Sequence, residues 1–438
     1  MVQSGPSSQT NQKFLTKETT MALSFDELTQ NSSFTNNVKG KVTFLPEPER
    51  AKRHYTVVSC DDHVVEPPTT FEGRLPAKFS DRAPRVIEKE DGTETWVVDG
   101  LELPNVGFNA VVGRPVDEFS FDPTRFEHMR RGSWDPIARV KDMDLNGIYS
   151  SLCFPSFIPG FAGQRLYQIT SDVELSKAMT RAWNDWMLEE WCGSAPGRFI
   201  PMQLPIWSDP KEAAEEVRKN AARGFRALSF SEGPHMLGFP SLHTGHWDPL
   251  LQACEETETV VCLHVGSSGS SPATAPDAPS DAVGTLFFAY AMFAATDWLF
   301  SKVPVRFPNI KLCLSEGGIG WVAGLIDRLE HMNSYNKMYG TWNDVELSPS
   351  EVFKRNFWFC AIEDPSSFPQ YDVIGADNIM VESDYPHADT TWPRTQQMLR
   401  QHFEGIPEDV VRKFTWQNAE RLFRLDIPAE IVANPDAF

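Results

Sequence analysis

The stretch Val57–Glu66, VVSCDDHVVE, sets a β-branched apolar run directly against two carboxylates, an imidazole and, three residues on, another carboxylate. Side chains of an extended chain alternate between faces, so Asp61 and His63 project together and Asp62 projects the other way. A carboxylate and an imidazole side by side at a strand end form half of a metal site. The competing explanation is a surface loop with two acids and a stray histidine. Further apolar runs end in the same manner: VVCLH closes on His264, LCLSEGGIGW carries Glu316, and VESDYPH carries Asp384 and His387. The chain has ten histidines, and three of them fall at these run ends, a coincidence that outweighs any one residue. Asp61, His63, Glu66, His264, Glu316, Asp384 and His387 are therefore candidate metal ligands. Glu316, Asp384 and His387 are also candidates for moving a proton. Each has a plainer alternative. His264 can be a satisfied core histidine, Glu316 a cap for a helix starting near Trp321, Glu66 a solvated turn residue before Pro67-Pro68, and His387 a substrate contact.

Other residues signal less. Glu316-Gly317-Gly318-Ile319-Gly320 lacks the Lys-Ser/Thr of a Walker loop and the G-x-G-x-x-G spacing, so it reads as a tight strand-to-helix turn that brings backbone near the site. His235, His243 and His246 follow the fourth apolar run without metal spacing. His235, together with Trp392 beyond the last run, is a candidate substrate contact.

The elements that must position these residues are eight short apolar runs: Val57–Cys60, Ser150–Phe154, Phe199–Leu204, Phe225–Phe230, Val260–His264, Ile310–Leu314, Phe357–Phe359 and Asn378–Val381. Helical spacing fills most gaps, over Asp135–Leu145 (with Ile137, Val140 and Met143 on one face), Val173–Trp191, Pro210–Arg223, Trp247–Glu256, Trp321–Met332 and Glu408–Leu422. Strands alternating with helices predict an α/β fold, the (β/α)8 TIM barrel, whose active sites sit at the C-terminal strand ends. A doubly wound sheet is the runner-up, but its glycine-rich first turn is absent. Residues 82–133 contain Thr95–Val98 and Leu101–Pro104 around Asp99-Gly100, a hairpin signal, and are expected to form a small β-insertion after strand one, over the barrel mouth. Residues 266–300 begin Ser/Pro/Ala-rich and then turn apolar, a candidate lid with its helix. Residues 1–54 form an N-terminal arm, its first twenty residues disordered or ordered on a partner, with a short helix starting at Ser24–Leu28. Residues 55–425 form the barrel and 426–438 a tail.

The net charge of -20 argues against nucleic acid and anionic membrane surfaces as partners. No run reaches the roughly 18–20 apolar residues a membrane span needs, and no secretory signal opens the chain. Seven cysteines without a C-x-x-C pair fit reduced thiols in a cytoplasmic compartment.

With these pieces in view, DDHVVEP, VVCLHVG, SEGGIGW and ESDYPH, plus the hairpin WVVDGLELP and the helix start WDPL, the chain resembles the amidohydrolase-related family between about Tyr55 and Leu425. That branch of metal-dependent barrels includes aminocarboxymuconate semialdehyde decarboxylase and resorcylate decarboxylases. The resemblance implies a (β/α)8 fold and one divalent metal on Asp61, His63, His264 and Asp384. It also shows a departure: hydrolase and decarboxylase members usually place a histidine after the sixth strand, where this chain has Glu316. Four carboxylates and three imidazoles exceed what one ion needs, and hard oxygen ligands with imidazoles suit Mn or Fe, with Zn possible. A dinuclear oxygenase branch, including 2-aminoisobutyrate hydroxylase, resembles this ligand set. The first expectation is thus a two-metal Fe/Mn oxygenase acting on a small carboxylate-bearing substrate, Glu316 and His387 holding the second ion, with Glu66 as a further ligand. The alternatives are a hydrolase using metal-bound water, a non-oxidative decarboxylase, and a silent paralogue that stabilises an active subunit. A homo-oligomer, or a hetero-oligomer with a paralogous barrel subunit, is expected.

Overall fold

The structure, a computed structural model, describes residues 22–24, 42–103, 105–119, 123–275, 277–335 and 339–438. All eight apolar runs become strands: Val58–Val64, Ser150–Pro155, Phe199–Ile200 continued by Met202–Gln203, Ala227–Ser231, Val260–His264, Leu312–Ser315, Phe357–Ala361 and Ile379–Val381. They pair in parallel as a three-stranded and a six-stranded sheet. The sheets part at Pro201, which has no N–H for a ladder; its carbonyl still accepts from Arg226 and Ala227 of the next segment, at 2.9 and 3.2 Å. At the opposite edges Asp384 N donates to Asp61 O (2.9 Å) and His63 N to Tyr385 O (2.7 Å), so the end of strand eight is laced to strand one. The result is a TIM-barrel-like α/β fold. The first strand runs past Cys60 to Val64 with a register shift between Ser59 and Asp62, which puts Asp61 and His63 inside the strand instead of after it.

Helices form where the chain supplies both ends. Pro210–Arg223 starts with Asp209 accepting from Lys211 N and Glu212 N, has proline in its first turn, and stops at Gly224 with φ 116°. Between the strands of the two sheets Val58, Cys60, Cys262, Cys313, Cys360 and Met380 pack together, and all seven cysteines are free and buried. Among the described residues no helix is long and apolar enough to cross a membrane.

The insertion is a three-stranded antiparallel sheet, Arg85–Glu88, Glu94–Val98 and Leu101–Glu102, turning at Asp99-Gly100 with φ of 50° and 82°. Pro104 lies outside the described residues, as do residues 1–20 of the expected arm.

Two expectations are corrected. Ser24 does not cap a helix: Ala22–Ser24 is a strand, antiparallel to Ser270–Pro272 in the loop after strand five, and residues 25–28 lie outside the described residues. In the helix Pro136–Asn146 the buried face carries Arg139, Asp142, Met143 and Asn146, while Ile137 is exposed. Apolar spacing misplaced this face because Arg139 and Asp142 are buried through specific polar partners.

Candidate metal centre

Strand one provides the site's base. Asp62, on the far face from Asp61 and His63, accepts from Ser59 Oγ (3.1 Å), Ser383 Oγ (2.6 Å), Tyr385 N (3.0 Å) and Ser151 Oγ. It thereby clips strands one and two to the segment after strand eight. Arg139, fully buried, donates to His63 O and to Gly132 O (2.7 Å) and lies 4.1 Å over the Tyr385 ring. Glu316 and Asp384, leaving strands six and eight, both adopt the left-handed backbone region, with φ of 56° and 52°. Such conformations cost of order 1 kcal/mol or more, and residues held in them cluster at functional sites.

These supports bring the ligating atoms to one point. His63 Nε2 lies 2.9 Å from His264 Nε2, 3.4 Å from Asp384 Oδ1 and 3.6 Å from Asp61 Oδ1. His264 Nε2 lies 3.4 Å from Asp61 Oδ2 and 3.3 Å from Glu316 Oε2. His387 Nδ1 is 2.9 Å from Asp384 Oδ1, and its ring stacks on His63 at 3.8 Å. Two groups have ligand atoms within 4.8 Å of one another: Asp61, His63 and His264; and His63, Asp384 and His387. His264 Nδ1 donates to Val265 O at 2.6 Å, which leaves the Nε2 lone pair facing the cluster.

The electrostatics call for a cation. Asp61 and Asp384 are fully buried, and no carboxylate oxygen of either accepts a hydrogen bond. Burial first, then neighbouring carboxylates, pushes Asp61, Glu316, Glu382 and Asp384 well above the usual carboxylate range, although Glu382 also accepts from Glu316 N (3.1 Å). Burial pulls His264 and His387 down to about 3 and lowers His63 as well, which favours the neutral form in which an imidazole can ligate a metal. Neutral imidazoles and mutually repelling acids around one point fit a divalent ion.

The other sequence candidates fall as follows. Glu66 is in neither group; its Oε1 accepts from Trp183 Nε1 (3.2 Å) and Ser156 N (3.3 Å), and burial pushes it up to about 7. Glu316 reaches the cluster through His264 alone among the histidines. His235 is exposed on a short helix, Pro234–Leu237. Trp392 is buried against Val112 and Tyr385 beneath Arg130, its Nε1 donating to Asp142 O at 3.1 Å, which leaves it no polar atom for a ligand. His243 pairs with Asp297 at 2.7 Å, away from the cluster. Sequence patterns did not flag Asp62, Arg139, Glu232 or Glu382, whose importance comes from partners far along the chain. Glu232 and Glu382 do share one signal, an acid within two residues of the end of an apolar run.

Beside the cluster lies a cavity of about 240 Å³, lined by Phe108, Phe157, Phe161, Gln164 and Arg165 among others. Phe161 connects the two, with its ring centroid 4.4 Å from that of His264 and 4.8 Å from that of His63. Phe108, from the insertion, lies 6.3 Å from His387. Arg165 Nη1 donates to Phe157 O at 2.7 Å. The site thus joins an acid-and-imidazole cluster to an aromatic-walled cleft with a cation on its rim.

Residues 79–425 match the family model described as amidohydrolase. An amidohydrolase from Mycobacterium avium subsp. paratuberculosis K-10 is similar in fold: TM-score 0.65, 21% identity, 84% of this chain and 99% of that one. So are 5-carboxyvanillate decarboxylase from Sphingomonas paucimobilis, with TM-score 0.59, 20% identity and coverage of 85% and 99%, and a dihydroxybenzoic acid decarboxylase from Polaromonas sp. JS666 with bound manganese and 2-nitroresorcinol, with TM-score 0.57, 17% identity and coverage of 87% and 100%.

Proposed function

Because the chain belongs to the amidohydrolase family, we propose that it is a metal-dependent enzyme that removes the carboxyl group of a small aromatic acid without oxidation. One divalent ion, manganese by preference, would be held by Asp61, His63, His264 and Asp384. The observation that carries the single-ion reading is the convergence on His63 Nε2, which neighbours Asp61, His264 and Asp384 together. An imidazole nitrogen has one lone pair and serves one cation. Support for the reaction comes from the decarboxylases of like fold, one of them with manganese, and from the aromatic cleft.

A bound divalent ion supplies positive charge that draws an anionic substrate group and offsets the buried acids. The chain's own residues do the rest. Phe108, Phe157 and Phe161 confine a flat ring, and Arg165 attracts an anionic substituent at the rim. When the ring-to-carboxyl bond breaks, its electron pair stays on the ring carbon and takes a proton as CO2 departs. Glu316 is assigned that proton, because burial and the surrounding acids favour its protonated form beside His264. His387 holds Asp384 in place at 2.9 Å.

The test is CO2 release from a panel of hydroxybenzoic acids under nitrogen, in D2O. Turnover without oxygen, deuterium at the vacated carbon and one ion per chain support the proposal. Glu316→Gln is expected to slow turnover at least 100-fold with the metal retained. The second reading, a two-metal oxygenase, is favoured by the extra carboxylate Glu316 at 3.3 Å from His264. Two ions per chain, oxygen uptake, and loss of one ion in the Glu316→Gln variant would establish it instead.

A further inference from the structure

Glu232 directly follows strand four, is 4% exposed, and takes no part in the chemistry above. Its carboxylate and its backbone N both bond to one turn. Oε1 accepts from Gly266 N (2.8 Å), Ser268 N (3.3 Å) and Ser268 Oγ (2.8 Å), and its backbone N donates to Ser267 Oγ (3.0 Å). Its backbone O accepts from Trp298 Nε1 at 3.1 Å, which anchors the whole unit to the helix Ala289–Phe300. The segment so gripped begins immediately after the pair that sets His264: Val265 O, which receives the Nδ1 proton, precedes Gly266. Gly266, at φ 88°, also lines the cavity, as does Gly269. The buried turn closes on itself through Ser267 N to His264 O (3.1 Å) and Gly269 N to Gly266 O (2.9 Å), and the Glu232 carboxylate, accepting three donors, ties it to the end of strand four.

We propose that Glu232 is a positioning residue: by pinning the Gly266–Ser268 turn, it fixes both the carbonyl that orients the His264 imidazole and one wall of the substrate cleft. The link to His264 rests on the metal site proposed above; the pinning of the turn does not.

The test uses full-length protein, hydrogen–deuterium exchange over residues 264–272, and titration with Mn²⁺. Glu232→Ala is expected to speed exchange in that segment and to weaken Mn²⁺ binding about 10-fold or more, as loss of a group orienting a ligand does. Glu232→Gln keeps an acceptor oxygen for the same three donors and is expected to restore both. Ser268→Ala, which leaves Glu232 in place, should shift both measurements in the same direction by less, and it decides the matter if the alanine variant does not fold. Unchanged exchange in Glu232→Ala and Ser268→Ala overturns the proposal, as does a Gln variant as impaired as Ala. A lower melting temperature with native Mn²⁺ affinity reduces Glu232 to a packing role and also overturns it. Should the native chain bind no Mn²⁺, the metal-site reading fails by itself, and the exchange data alone decide the pin.

Discussion

A carboxylate buried without a hydrogen-bond donor destabilises a fold by several kcal/mol unless a proton or cation neutralises it. Asp61 and Asp384 are in that position, whereas Asp62, their neighbour in sequence and space, accepts from three serines and a backbone N–H. Adjacent residues of like type thus do opposite work. Strand alternation was enough to separate Asp61 and His63 from Asp62. Nothing local distinguished Trp392, a packing residue, from a substrate contact, because its partners Asp142 and Arg130 are some 250 positions away. Glu66 permits a prediction at this scale. Its folded pKa of about 7 lies above its ordinary 4.5, so the native state binds the proton more tightly than the unfolded chain does. Its contribution is complete below about pH 4.5 and is lost as pH rises through about 7, by a sum on the order of 3 kcal/mol. The metal-free chain should therefore melt at lower temperature at pH 8 than at pH 5, and Glu66→Gln should flatten that slope. Equal slopes in differential scanning fluorimetry would contradict this.

Elements were more legible than residues where the chain marks both ends. Pro210–Arg223 has its bounds as expected from its Asp-Pro start and following glycine, and the Asp99-Gly100 hairpin turns where the dipeptide says. Pro136–Asn146 was placed correctly but with the wrong face inward, since its buried arginine serves the His63 carbonyl. Ser24, expected to open a short helix over Ser24–Leu28, instead ends the strand Ala22–Ser24, whose partner, Ser270–Pro272, is nearly 250 residues distant. The insertion has a consequence for binding. It carries Phe108 to the cleft, half-buried at the margin of the core. Phe108→Ala is expected to weaken binding of an aromatic ligand about 3- to 10-fold, with a melting temperature lowered by no more than a few degrees. Calorimetric titration with 2-nitroresorcinol, the ligand bound by the Polaromonas decarboxylase, would show it.

At the scale of the molecule, eight apolar runs separated by helical patterns announced the architecture, and strand-end chemistry pointed to residues that the fold gathers into one cluster. The reaction was less legible. Counting acids suggested two ions, but a count says nothing about how many acids share one neighbour. If an ion binds the native state alone, Mn²⁺ at a hundredfold excess over its Kd stabilises the chain by about 2.7 kcal/mol. Dialysis against a chelator should lower the melting temperature by several degrees, and Mn²⁺ should restore it; no shift would exclude a tight native-state site.

Asp61 and His63 meet the segment after strand eight twice over, once through their side chains and once through the main-chain bonds Asp384 N to Asp61 O and His63 N to Tyr385 O. Filling the proposed centre and holding the end of strand eight against strand one would consequently be one event. If an ion binds there, a chain without it is expected to loosen first along this join, and exchange at the Asp384 and His63 amides would report occupancy as directly as a metal assay.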